Sequence, residues 1–151
     1  MHGLASLSRV MEDGRRQMIG LLHPGDFLGH PGRQTTPFMV DAITDVELCG
    51  FQYKAFDRLL AKAPQLHSRL VEVIQDELDA AREWMLLLGR KSAREKICSF
   101  LVYLVYRQSK LRTTDRFPLS PEIIYLQMTR EQIADFLALT LETVSRQFSS
   151  L

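Results

Sequence analysis

The sequence predicts an α+β protein in which an antiparallel β unit comes first and helices follow. Three observations predict it. Up to Phe51, short apolar stretches alternate with turn chemistry. From Tyr53 onward, apolar residues recur at helical spacing. Capping-box patterns at Ser92-Ala93-Arg94-Glu95 and Thr129-Arg130-Glu131-Gln132 mark two helix starts. With 151 residues, 46% of them hydrophobic and 25% charged, the chain has the composition of a protein that buries a core.

Asp13-Gly14 is a two-residue hairpin signal between the strands Ser8–Met11 and Gln17–Leu22. His23-Pro24-Gly25-Asp26 is a second turn, since proline presets φ and glycine accepts positive φ. Phe38–Ala42 and Val46–Phe51 are further strands, separated by a loop over Gly29–Pro37. Four short strands close neither a sandwich nor a barrel, so further strands are expected upstream and the chain reads as a fragment.

Tyr53–Ala63 is a short helix with Phe56, Leu59, Leu60 and Ala63 on one face, ending near Pro64. The stretch Pro64–Leu88 is a long helix, with proline in its first turn and Gly89 at its exit. Val71, Ile74, Leu78, Ala81, Met85 and Leu88 follow gaps of three and four, a heptad seam suited to a second copy. Leu66, Leu70, Val73 and Leu87 lie off that seam and suit packing on the chain's own β unit. An ordinary amphipathic core helix would show a similar pattern. Behind Ser92 a third helix carries Ile97, Phe100, Leu101, Leu104 and Val105, with Cys98 read as core. A polar loop over Ser109–Pro121 and a short strand through Ile123, Ile124, Leu126 and Met128 lead to the last motif. The organisation is therefore a β domain over 1–63, a dimerisation helix over 64–89 and a helical domain over 90–151.

That last motif carries the function. After the Thr129 capping box, Ile133, Ala134 and Leu137 form the buried face of a two-turn helix. Ala138-Leu139-Thr140 breaks it, and Thr140 caps a second helix: a helix-turn-helix. Leu141, Val144 and Phe148 are expected inside; Glu142, Thr143, Ser145, Arg146 and Ser149 are expected outside. An arginine fork matches guanine O6 and N7, a carboxylate accepts from cytosine N4, and a hydroxyl bonds base or phosphate. The whole chain has a net charge of only +1, but residues 1–89 hold 9 basic and 12 acidic residues (−3) while 90–151 hold 10 and 6 (+4). The second part has the sign that DNA requires. A helical dimerisation and protein-interaction module without DNA binding is the competing reading. No Ser/His/Asp or Cys/His set, Gly-rich phosphate loop or spaced carboxylate pair makes a case for an enzyme. No signal-peptide pattern and no spanning apolar run is evident, which reads as cytoplasmic with no membrane partner.

Met128 to Leu137 followed by Leu141-Glu142-Thr143-Val144-Ser145-Arg146 resembles the helix-turn-helix of the Crp/Fnr superfamily of bacterial transcription regulators, and the Glu-x-x-Ser-Arg form resembles its Fnr branch. Pro24-Gly25-Asp26-Phe27-Leu28-Gly29, Trp84–Lys91 and Ala93-Arg94-Glu95-Lys96 are similar to that family in the same order. The resemblance implies the C-terminal part of a cyclic-nucleotide-binding-like β-roll (jelly roll), a dimerisation helix and a winged helix-turn-helix that stops within its recognition helix, without the wing. It implies a homodimeric activator on a palindrome with half-sites like TTGAT: Arg146 on guanine, Glu142 on cytosine, Ser145 near thymine, with Thr129, Thr140 and Thr143 alongside on the DNA. It implies RNA polymerase as a partner, touched by the Glu12-Asp13-Gly14 tip.

Departures matter too. Ala138 stands where the family usually has glycine, so strain of order ~1 kcal/mol is expected at a positive φ. Gly29–Thr36 lacks the acidic residue and the Arg-Ser or Arg-Thr pair of a cyclic-nucleotide site, since Arg33 precedes Gln34. Cys49 stands where Fnr-type oxygen sensors keep one thiolate of a [4Fe-4S] cluster; a small buried strand cysteine is the other reading. The cluster's other three ligands are absent from this chain, so a cluster-free regulator of the same superfamily, with haem, nitric oxide or no ligand, is the alternative. His23, His30 and His67 show no metal-ligand spacing and read as turn, loop and solvated residues. Trp84 and Met85 resemble the family's hinge packing and read as core.

Overall fold

A computed structural model of the chain describes residues 2–29, 35–111 and 125–151, without the side chains of 109–111. Three strands, β1 (Ala5–Val10), β2 (Arg16–Leu22) and β3 (Met39–Ala42), form an antiparallel sheet in the order β2-β1-β3. Five helices follow: α1 (Tyr53–Lys62), α2 (Pro64–Arg90), α3 (Ala93–Leu111), α4 (Arg130–Leu137) and α5 (Leu141–Ser149). None of the described helices is long and apolar enough to cross a membrane. The polar loop expected from Ser109 starts later, because α3 continues through Leu111; its remainder over 112–121, together with the expectations for His30, Arg33, Ile123 and Ile124, lies outside the described residues.

β1 and β2 pair from Ala5 with Leu22 to Val10 with Arg16, with an irregularity between Leu7 and Ser8. The hairpin is longer than the Asp13-Gly14 signal suggests. Met11 N–H donates to the Arg15 carbonyl at 2.8 Å and Gly14 N–H to the Met11 carbonyl at 2.9 Å. Gly14 has φ +83. This is a three-residue turn ending on a left-handed glycine, the usual next step up from a two-residue loop. At Gly3 (φ +106) a Cβ would stand 2.2 Å from the Asp45 carbonyl oxygen, so the segment after β3 can lie against the chain start only because no side chain is there.

Among the described residues, two expected strands do not form. Glu47–Phe51 is irregular and exposed, and its described main-chain link is Glu47 N–H to the His2 carbonyl at 3.1 Å. Tyr125–Met128 is irregular, with only Met128 buried. A strand exists by virtue of a ladder partner, and alternation alone does not supply one.

α2 is continuous through Gly89 to Arg90, so Gly89 is not its exit; Lys91, in extended backbone, closes it. The two apolar sets of this helix part as their spacing predicts. Leu66, Leu70 and Val73 are half-buried and Leu87 is buried, while Val71, Ile74 (45%), Leu78 (50%), Ala81 and Met85 are exposed. Two corrections belong here. Leu88, expected on the seam, is half-buried against the core. Met85 is exposed and not core, while Trp84 carries the packing by itself. The last turn of α2 faces α3, which draws Leu88 inward.

One core joins sheet and helices. Leu4, Met18 and Leu21 meet Leu87, Ile97, Phe100, Leu104, Met128, Ile133, Phe136, Leu137 and Val144. Trp84 lies edge-on to Phe136 at 4.6 Å and to Tyr103 at 5.1 Å, and Phe100 to Phe136 at 5.8 Å. Such edge-to-face pairs add to the area they bury. The α3 start has its box: Ser92 N–H donates to Glu95 Oε2 at 2.8 Å and Glu95 N–H to Ser92 Oγ at 3.4 Å. That bonding holds the Glu95 carboxyl below its ordinary pKa.

Candidate nucleic-acid interface

The helix pair α4–α5 is built by local capping and then seated by the core. Thr129 Oγ1 accepts from Gln132 N–H at 3.2 Å, and Gln132 Oε1 accepts from Thr129 N–H at 2.8 Å, closing a capping box. Ile133, Ala134, Phe136 and Leu137 are buried. Ala138 then takes φ 50, ψ 52, and the N–H groups of both Ala138 and Leu139 donate to the Ala134 carbonyl. It is the one non-glycine residue with positive φ among the described residues. Thr140 Oγ1 accepts from Thr143 N–H at 3.2 Å, starting α5, and its hydroxyl donates to Thr143 Oγ1 at 2.8 Å.

On α5, Val144 is fully buried and Phe148 half-buried, with the Arg130 guanidinium 5.0 Å above its ring. Leu141, expected inside, is 50% exposed. It stands on the first turn, ahead of the cover that α3 and α4 give Val144. Glu142, Arg146 and Ser149 are exposed, Thr143 and Ser145 half-buried, and Thr129 and Thr140 exposed. Glu142 and Arg146 stand one turn apart, and among the described residues no hydrogen bond or ion pair engages either side chain. A carboxylate, a hydroxyl and a guanidinium thus occupy neighbouring positions on one helix, with the first and last unspent. Such a set can read base edges.

Three parts of the arrangement carry no sequence signal. The edge of β2 grips α4: Gln17 Nε2 donates to the Asp135 carbonyl at 2.6 Å, Met18 N–H to Asp135 Oδ1 at 3.3 Å, and Arg16 Nε lies 4.0 Å from Asp135 Oδ2. Arg107 of α3 pairs with Asp26 of the turn after β2, whose carboxylate also accepts from His23 N–H at 2.9 Å. Lys96 of α3 donates to the Leu137 carbonyl at 3.3 Å. Each joins residues far apart in the chain, and only the charge of the partners could have pointed to them.

Among the described residues no three His, Cys, Asp or Glu side chains gather. Cys49 is exposed on an irregular segment, so it is not the buried strand cysteine; Cys98 is half-buried on α3. A [4Fe-4S] cluster takes four thiolates, and the chain has two cysteines, so its own residues do not hold one.

Residues 126–151 match the family described as bacterial regulatory proteins, crp family, and residues 1–63 match the cyclic nucleotide-binding domain. The structure of FixK2 from Bradyrhizobium japonicum superposes with a TM-score of 0.80 at 30% identity, over 99% of this chain and 71% of that one. The chain belongs to the Crp/Fnr family. Its similarity to the Fnr branch of Crp/Fnr is strong: it is 54% identical over 149 residues to the transcriptional activator protein FnrL of Cereibacter sphaeroides, over 99% of this chain and 59% of that protein. It is 41% identical over 151 residues to the nitrogen fixation regulation protein FixK of Bradyrhizobium diazoefficiens, over 100% of this chain and 61% of that protein. The chain therefore spans about three fifths of the length of these Crp/Fnr relatives.

Proposed function

We propose that this chain works as part of a homodimeric, DNA-binding transcription activator of the Fnr/FixK type. The observation that carries this is α5: a capped helix, anchored by Val144, that presents Glu142 and Arg146 with no partner among the described residues. In this reading the first turns of α5 enter the major groove. Arg146 donates its fork to guanine, Glu142 accepts from the paired cytosine, and Ser145 stands near a thymine. Thr129, Thr140 and Thr143, at the two helix starts, sit where phosphates approach. Two copies joined along Val71, Ile74, Leu78, Ala81 and Met85 set two α5 helices about 34 Å apart, one DNA turn. The exposed Glu12-Asp13-Gly14 tip faces RNA polymerase, and the setting is the cytoplasm. The domain limits 1–63, 64–89 and 90–151 belong to the same reading.

Oxygen coupling rests on Cys49. Its exposed thiol suits one ligand position of an iron-sulfur cluster whose other thiolates these 151 residues do not supply. Anaerobic iron and sulfide analysis of the full-length protein, with Cys49→Ser alongside, decides between this and the cluster-free alternative.

The deciding experiment for DNA readout is Arg146→Ala in the full-length protein, followed by fluorescence anisotropy on a TTGAT palindrome and on scrambled DNA. The variant should lose about 1–3 kcal/mol of discrimination at the guanine and keep its salt-dependent binding to scrambled DNA. Equal losses on both DNAs would remove Arg146 from base readout.

A further inference from the structure

Among the described residues Lys96 is the one buried charged side chain, 8% exposed. Burying an ammonium is costly unless an acceptor meets it. No carboxylate pairs with it among the described residues; its acceptor is the main-chain carbonyl of Leu137 at 3.3 Å.

The position of that carbonyl gives the contact its meaning. Leu137 is the last residue of α4, and the next residue is Ala138 in left-handed backbone. The last carbonyls of a helix have no donors within it and carry the negative end of its dipole, so a cation there is favoured. At this elbow three carbonyls find donors from three sources. The Ala134 carbonyl takes the N–H groups of Ala138 and Leu139, the Asp135 carbonyl takes Gln17 from β2, and the Leu137 carbonyl takes Lys96 from α3. α3 also packs directly on α5. We propose that Lys96 is a positioning residue for DNA recognition: its ammonium pins the Leu137 carbonyl and so fixes the angle at which α5 leaves the elbow. The proposal rests on the reading of α5 as the DNA-contacting helix. It separates Lys96 from the surface cations of the same region, because a buried ammonium spent on a carbonyl is not a phosphate contact.

Lys96→Met keeps the apolar stem and removes the donor, while Lys96→Arg keeps a cationic donor. In the full-length protein, Lys96→Met should weaken binding to the TTGAT palindrome by roughly tenfold or more, with scrambled-DNA affinity and the salt slope unchanged. Lys96→Arg should recover most of the loss. Operator binding by Lys96→Met at the wild-type level overturns the proposal. So does a uniform loss on all DNA with the salt slope lowered by about one, the signature of a lost phosphate contact, and so does failure of Lys96→Arg to recover binding. A measurement free of variants stands beside these, and it decides alone where Lys96→Met does not fold. In the wild-type chain the Lys96 ammonium should give a slowly exchanging NMR signal correlated with the Leu137 carbonyl; a rapidly exchanging ammonium overturns the proposal. If the wild-type protein ignores the palindrome, the DNA reading fails, and the ammonium signal still reports on the elbow.

Discussion

Ala138 shows how a single residue marks the turn between two helices. Its φ of 50 and ψ of 52 place a Cβ in the left-handed region, which costs about 1 kcal/mol relative to glycine. Ala138→Gly should therefore raise the stability of the chain by roughly 0.5–1 kcal/mol, read as a higher urea midpoint at unchanged slope. This strain was legible only through the family resemblance, which puts glycine where this chain has Ala138. His23 was not legible. It reads as a plain turn residue, yet its Nε2 is buried with no hydrogen-bond partner among the described residues and its ring meets Tyr103 edge-on at 5.7 Å. Burial first, and then the Arg107 charge, lower its pKa from 6.5 to about 4 against the pull of Asp26. Burial likewise pushes Tyr103 up to about 12. Between pH 6.5 and 4 the unfolded chain binds a proton at His23 that the folded chain refuses. The stability this neutral histidine provides is thus complete above pH 6.5 and is lost as pH falls toward 4. His23→Phe should show a shallower fall in urea midpoint over that interval than the wild type.

At the scale of elements, local rules and long-range rules divide cleanly. The caps at Ser92, Thr129 and Thr140 depend on a donor and an acceptor three residues apart, so the pattern in the chain is the interaction itself. The long helix α2 is equally legible, from its proline start and its spacing. Val46–Phe51 and Leu126–Met128 fail as strands because pairing partners are a property of the fold. The grip of β2 on α4 belongs to the same class. Asp135 satisfies the Met18 amide at the outer edge of the sheet, so Asp135→Ala should cost about 1–2 kcal/mol and speed hydrogen exchange at the Met18 amide. The Thr140 cap, which Asp135 does not touch, should keep its protection.

At the scale of the whole molecule, α2 has one covered face and one open face. Leu87 is buried against the core while Ile74 and Leu78 stay near half exposed, so the seam survives as an unused apolar stripe in the single chain. In the dimer proposed above, Leu78→Glu should leave the fold of one copy intact and, in the full-length protein, shift sedimentation from dimer to monomer. Operator affinity should then fall by about a hundredfold, since each half-site is held by one copy acting alone.

The sequence by itself determined the order of β unit, long helix and helix-turn-helix, the caps that start the helices, and the types of side chain on α5, because each depends on residues within a few positions of one another. Tertiary structure decided which apolar residues are covered, sending Leu88 inward and leaving Leu141 and Met85 outside. It also decided what holds the elbow: Lys96 and Gln17 reach it across 41 and 118 positions of chain. Distances of that kind are set by how the core packs, and no local pattern encodes them.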